Sequence, residues 1–157
     1  MDQSVDDLSF NAPAIFILSG GIGASAEQVI YTVLAQFPDR AVRVITCGNI
    51  RQAAQLEEII PRAVEQKALL VHTLVDESLR LELQTLAAQA GLTCIDLMGP
   101  LSDWLSQQLG QPPLQQPGRY RRLHRDYFER VSAIDYTLMH DDRKLPEGWQ
   151  DAEIVLA

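Results

Sequence analysis

The chain has 157 residues, 46% of them hydrophobic, and a formal net charge of −8. That length and apolar content suit one core-forming domain, and the acidic balance argues against a nucleic-acid binder, which would carry a basic field. No apolar run reaches the length of a membrane span, and the acidic start Met1-Asp-Gln-Ser-Val-Asp-Asp7 lacks the layout of a signal peptide, so the chain reads as cytoplasmic.

Residues 1–12 form a polar leader, and residues 13–157 read as a single α/β domain. The apolar run Ala14–Leu18 predicts the first strand. It is followed by Ser19-Gly-Gly-Ile-Gly-Ala-Ser25 and a helix over about Ser25–Gln36, ended near Phe37-Pro38. Ala41–Cys47 is a β-branched second strand, and Gly48-Asn49 introduces a helix from Ile50 to about Gln66 that Pro61 is expected to kink or split. Ala68–Leu74 is the third strand. Asp76 caps a helix running to Gln89, with Gly91 at its stop.

Thr93–Met98 is the fourth strand, and Pro100–Leu109 is a short helix closed by Gly110. The Pro-rich stretch Gln111–Gly118 is a loop. A long helix around Leu123–Met139 follows, and Ala152–Ala157 supplies a fifth strand. Continuous apolar strands alternating with helices predict an open, largely parallel five-stranded sheet with helices on both faces. In such sheets ligands bind outside the carboxyl ends of the strands.

The Gly20–Ser25 turn falls at that edge. Strand, glycine turn and helix together bring backbone N–H groups towards a phosphate, so Ser19, Gly21, Gly23 and Ser25 are the candidate phosphate-binding residues. A turn with no ligand is the competing reading. Gly21-x-Gly23-x-x-Ala26 fits a dinucleotide fingerprint, but the second strand ends Thr46-Cys-Gly-Asn49, without the acid that holds the ribose, which disfavours NAD. No phosphate-loop motif is present, and the two lysines, Lys67 and Lys144, lie outside glycine-rich turns.

The segment Gly118–Arg125 gathers four arginines and a histidine; it is either a solvated basic face or a docking patch using Arg121, Arg122 and Arg125. His140, Asp141 and Asp142 are candidate catalytic groups at a helix end, where turn formation explains them equally well. His72 lies inside a strand and is expected to be a packed core histidine. Cys47 and Cys94 read as free thiols, and no metal-ligand cluster is seen.

Several pieces in order along the chain carry a resemblance: Phe16–Glu27, Gln36-Phe-Pro38, Thr73-Leu-Val-Asp-Glu77 with Leu79-Arg80, Pro117-Gly118, Tyr127-Phe-Glu-Arg130, Ala133-Ile-Asp-Tyr136 and His140-Asp-Asp142. The chain resembles the regulatory proteins of phosphoenolpyruvate synthase and of pyruvate, phosphate dikinase. The resemblance implies an ADP-dependent serine/threonine kinase that phosphorylates a threonine of the target, and a phosphate-dependent phosphorylase that removes it with release of pyrophosphate. It implies the target enzyme as partner and leaves a homodimer open.

The family usually carries Asp where Gly20 stands, Thr for Ile22, Gly for Arg143 and often His for Arg121. It also continues beyond the final strand into a lysine-containing phosphate loop and a C-terminal domain. The expectation is therefore a match to the N-terminal half of a typical member, inactive alone and binding no ADP by itself. The alternative is a non-catalytic docking or phosphate-binding module for a dikinase-type partner.

Overall fold

The computed structural model describes residues 12–38, 41–125, 127 and 129–131. The chain divides into two compact units, Met1–Gly118 and Arg119–Ala157.

In the first unit four parallel strands form one sheet: β1 (Ala14–Leu18), β2 (Arg43–Cys47), β3 (Leu69–His72) and β4 (Cys94–Asp96), in the order β2-β1-β3-β4. The helices between them are α1 (Ala24–Leu34), α2 (Ala53–Glu65) and α3 (Glu77–Gln89), with α4 (Gly99–Leu109) after β4. β1 is central and buried on both faces, as its unbroken apolar run requires. Its alternate residues feed two cores. Ala14, Phe16 and Leu18 join Leu70, Leu56, Ile60, Leu79 and Leu83 beneath α2 and α3. Ile17 and Val71 join Ala26 and Ile30 beneath α1. Helices thus cover both faces of a parallel sheet.

The described sheet has four strands rather than five; the fifth segment, 152–157, lies outside the described residues, as does the leader over 1–11. Strands β2, β3 and β4 are shorter than their apolar runs, because the flanking residues belong to the loops at the strand ends. Cap signals were accurate. The Asp76 carboxylate accepts the Leu79 N–H at 3.0 Å, and Gly110 closes α4 at φ 65. In the second unit, α5 spans Arg119–Leu123, and residues 125, 127 and 129–131 are also helical; the remainder of the helix expected to reach Met139 lies outside the described residues. Among the described residues no helix is long and apolar enough to cross a membrane.

Pro61 does not split α2, which runs unbroken from Ala53 to Glu65. The reason is the side of the helix it occupies. Pro61 and Glu57, whose carbonyl loses its N–H donor, face solvent, while Leu56, Ile59, Ile60 and Ala63 anchor the opposite face in the core. Water can satisfy the freed carbonyl. Pro61→Ala should therefore stabilise the fold by about 1–3 kcal/mol, the penalty of an interior helical proline. An unchanged or lower urea midpoint would contradict this placement.

Candidate functional site

The strand order makes β1 and β3 the neighbours from which the chain departs in opposite directions, β1 towards β2 and β3 towards β4. Loops beyond such a pair splay apart and leave a crevice at the carboxyl edge. The residue following each strand carries a hydroxyl: Ser19 after β1 and Thr73 after β3. The Thr73 O–H donates to Ser19 Oγ at 3.1 Å, and the Gly21 N–H donates to the same oxygen at 3.1 Å. Ser19 is 6% exposed. With two donors pointing at its oxygen, the Ser19 proton is left to donate to a further acceptor.

A backbone zipper fixes the turn. Ser19 N–H bonds Cys47 O at 3.0 Å, Asn49 N–H bonds Gly21 O at 2.7 Å and Ile50 N–H bonds Ser19 O at 3.0 Å. The β1–α1 and β2–α2 loops are therefore one rigid piece. Gly20 is needed by close approach, since a Cβ there would sit 2.9 Å from Pro117 Cβ and 3.4 Å from Arg51 Nη1. Gly23 has φ 90, heads α1 without a side-chain cap, and would drive a Cβ to 2.5 Å from Thr46 Cγ2. Its role is packing of α1 on β2, next to the bond from the Thr46 hydroxyl to Glu27.

Of the four sequence candidates at this turn, Ser19 and Gly21 are brought together with Thr73. The Gly21 N–H is already engaged by Ser19, Gly23 packs, and Ser25 is exposed in the first turn of α1. Arg121, Arg122 and Arg125 are exposed in the second unit, where His124 stacks on Tyr120 with ring centroids 4.6 Å apart. His140, Asp141 and Asp142 lie outside the described residues. Sequence reasoning missed Thr73 and Arg51 as site residues. Their signal was position, a hydroxyl and a cation just past the carboxyl ends of β3 and β2.

A second cluster braces the neighbouring edge. Asp96 Oδ1 accepts the N–H groups of Gly99 at 2.7 Å and Met98 at 2.9 Å, heading α4, while Oδ2 accepts Arg80 Nε at 3.1 Å. Arg80 also reaches Asp103 at 3.3 Å. Burial alone would raise the Asp96 pKa, but the two N–H bonds and the nearby cation outweigh it and hold the carboxyl below 3.8. An open cleft of about 370 Å³ between α3 and α4 is lined by Glu77, Arg80, Asp96 and Asp103. Its arginine is already engaged by carboxylates, so it is a poor place for an anion.

His72 is fully buried, as expected of a core histidine, and its two ring nitrogens have no hydrogen-bond partner among the described residues. Its Nδ1 stands 3.8 Å from Asp96 Oδ1, too far for a hydrogen bond. Burial pushes its pKa below 6.5, against the pull of Asp96 and with the help of Arg80. The imidazole is neutral at pH 7. Both cysteines are free; burial raises the Cys47 thiol, and burial with the Asp96 charge pushes Cys94 up to about 11.

Residues 15–157 match the family described as Kinase/pyrophosphorylase. The chain belongs to that family. It is 42% identical over 154 residues to a protein of Chloroflexus aurantiacus, an alignment covering 98% of this chain and 55% of the relative. It is 36% identical to one of Desulfotalea psychrophila, covering 99% and 54%, and 35% identical to one of Halothermothrix orenii, covering 92% and 54%. These relatives bear the name pyruvate, phosphate dikinase regulatory protein. The chain spans about half the length of the curated relatives it matches.

The buried His72 sets a pH dependence. Its folded pKa is depressed, so its stabilising contribution is complete above 6.5 and is lost as pH falls towards the folded value, where the unfolded chain takes up a proton first. The Asp96 contribution is lost only on acidification below 3.8. Denaturation midpoints should therefore decline from pH 6.5 downward, and His72→Leu should flatten the upper part of that decline while leaving the lower part. A His72→Leu profile parallel to that of the parent chain would contradict the assignment.

Proposed function

We propose that this chain acts in the reversible phosphorylation of a threonine on pyruvate, phosphate dikinase or phosphoenolpyruvate synthase, and that its part is to hold phosphate in the crevice of Ser19 and Thr73. The observation that carries this reading is the convergence of a buried serine hydroxyl, a threonine hydroxyl and a glycine turn at the strand reversal of a Kinase/pyrophosphorylase family member. Phosphoryl transfer is governed by positioning and charge neutralisation. The Ser19 hydroxyl, held in place by Thr73 and Gly21, supplies the positioning. In the forward direction the threonine oxygen would attack the β-phosphorus of ADP, releasing AMP and giving up the hydroxyl proton. In reverse, inorganic phosphate would attack the phosphothreonine phosphorus, the threonine oxygen would leave, and pyrophosphate would be released.

The other roles in this reading rest on the basic patch of residues 118–125 and on the resemblance. Arg121, Arg122 and Arg125 dock the acidic or phosphorylated surface of the target, and His140, Asp141 and Asp142 serve near the transfer centre. The proposed setting is the cytoplasm. ADP needs a phosphate cradle that these 157 residues do not contain as a lysine-bearing glycine loop. The 157-residue chain by itself is therefore proposed to bind phosphate and target but to transfer nothing.

The test combines the purified chain with the target dikinase, in its phosphothreonine and unmodified forms. Association with the dikinase that responds to inorganic phosphate, together with no threonine phosphorylation from ADP, is the expected result. A complex indifferent to phosphate would favour a plain docking module, and robust ADP-dependent phosphorylation by the chain alone would overturn the division of roles.

A further inference from the structure

We propose that Arg51 is a phosphate-gripping residue of the Ser19–Thr73 crevice, a deepening that rests on the phosphate reading above. Arg51 follows β2 and precedes α2, 32 positions from Ser19 in sequence, yet its guanidinium lies over the glycine turn: Nη1 is 3.4 Å from where a Gly20 Cβ would stand. Three features fix the backbone from which it extends. Its neighbour Ile50 is 1% exposed and donates its N–H to Ser19 O at 3.0 Å. Asn49, at φ 57, donates its N–H to Gly21 O at 2.7 Å. The Arg51 N–H itself donates to Gln55 Oε1 at 2.7 Å.

The same glutamine closes a capping box with Gln52, so the start of α2 is satisfied without the arginine side chain. Among the described residues Arg51 has no carboxylate partner, in contrast to Arg80, which is held by Asp96 and Asp103. An arginine whose backbone is held beside the glycine turn and whose guanidinium makes no ion pair among the described residues is suited to an incoming anion. Its planar fork matches two oxygens of a tetrahedral phosphate, while the Ser19 hydroxyl, whose oxygen is held by Thr73 and Gly21, donates to a third. A side chain at Gly20 would meet Pro117 first, at 2.9 Å, and Arg51 Nη1 next, at 3.4 Å.

The ligand class is a dianionic phosphate, free or as a phosphoryl group on a threonine. The test titrates inorganic phosphate calorimetrically into the full 157-residue chain and into Arg51→Ala, Arg51→Lys and Arg62→Ala. Arg62 lies within α2, the helix that Arg51 precedes, and its loss changes net charge equally, so it controls for diffuse attraction. Circular dichroism melts show that each variant folds.

Saturable binding by the parent chain, weakened about tenfold or more in Arg51→Ala, intermediate in Arg51→Lys and unchanged in Arg62→Ala, supports the proposal. Equal affinity of Arg51→Ala and the parent chain overturns it while leaving the crevice reading intact. Equal losses in Arg51→Ala and Arg62→Ala overturn it in favour of net charge. Absence of saturable phosphate binding by the parent chain overturns both this role and the crevice.

Discussion

The hydroxyl of Ser19 joins the ends of β1 and β3, the two strands between which the sheet reverses its order, and the local architecture is arranged around that bond. It receives the Thr73 hydroxyl from one strand end and the Gly21 N–H from the following turn. Parallel sheets place their strand ends, and so their loops, at one edge. The reversal at β1 and β3 opens that edge, and Ser19 keeps the opening narrow and polar. The backbone bonds from Cys47, Asn49 and Ile50 extend the same rigidity to the next loop, which is how Arg51 comes to lie over the glycines.

The neighbouring Asp96 cluster shows the opposite use of charge. There a carboxylate heads α4, binds Arg80 and stands beside an imidazole that burial keeps neutral. Its charges are matched within the molecule and hold α3 and α4 to the end of β4. At the Ser19 crevice hydroxyls are gathered beside a guanidinium that makes no ion pair among the described residues. A matched cluster holds structure, whereas an unmatched one is available to a ligand.

Much of the fold was legible because it is written in local chemistry. Asp76 and Gly110 sit where helix caps must, and the unbroken apolar run of β1 is what a central parallel strand requires. The split expected at Pro61 is absent because a proline's effect depends on which side of the helix it faces, and that is set by tertiary burial. Half of the candidate site was equally visible, since a glycine turn after a strand is a local pattern. Thr73 was not, because its role arises from a partner 54 positions away across a strand pairing. Arg51 was hidden for the same reason. A lone arginine after a loop has no sequence signature until the loops are zipped together. Strand order itself, which creates the crevice, is not a property of any one segment.

The most direct measurement of the central claim is a nuclear magnetic resonance titration of the isotope-labelled chain with inorganic phosphate, following every backbone amide. Saturable shifts concentrated at residues 19–25, 51 and 73 are the expected result. Shifts centred instead on residues 119–125, or drifting without saturation across the surface, would contradict a phosphate site at the reversal of the sheet.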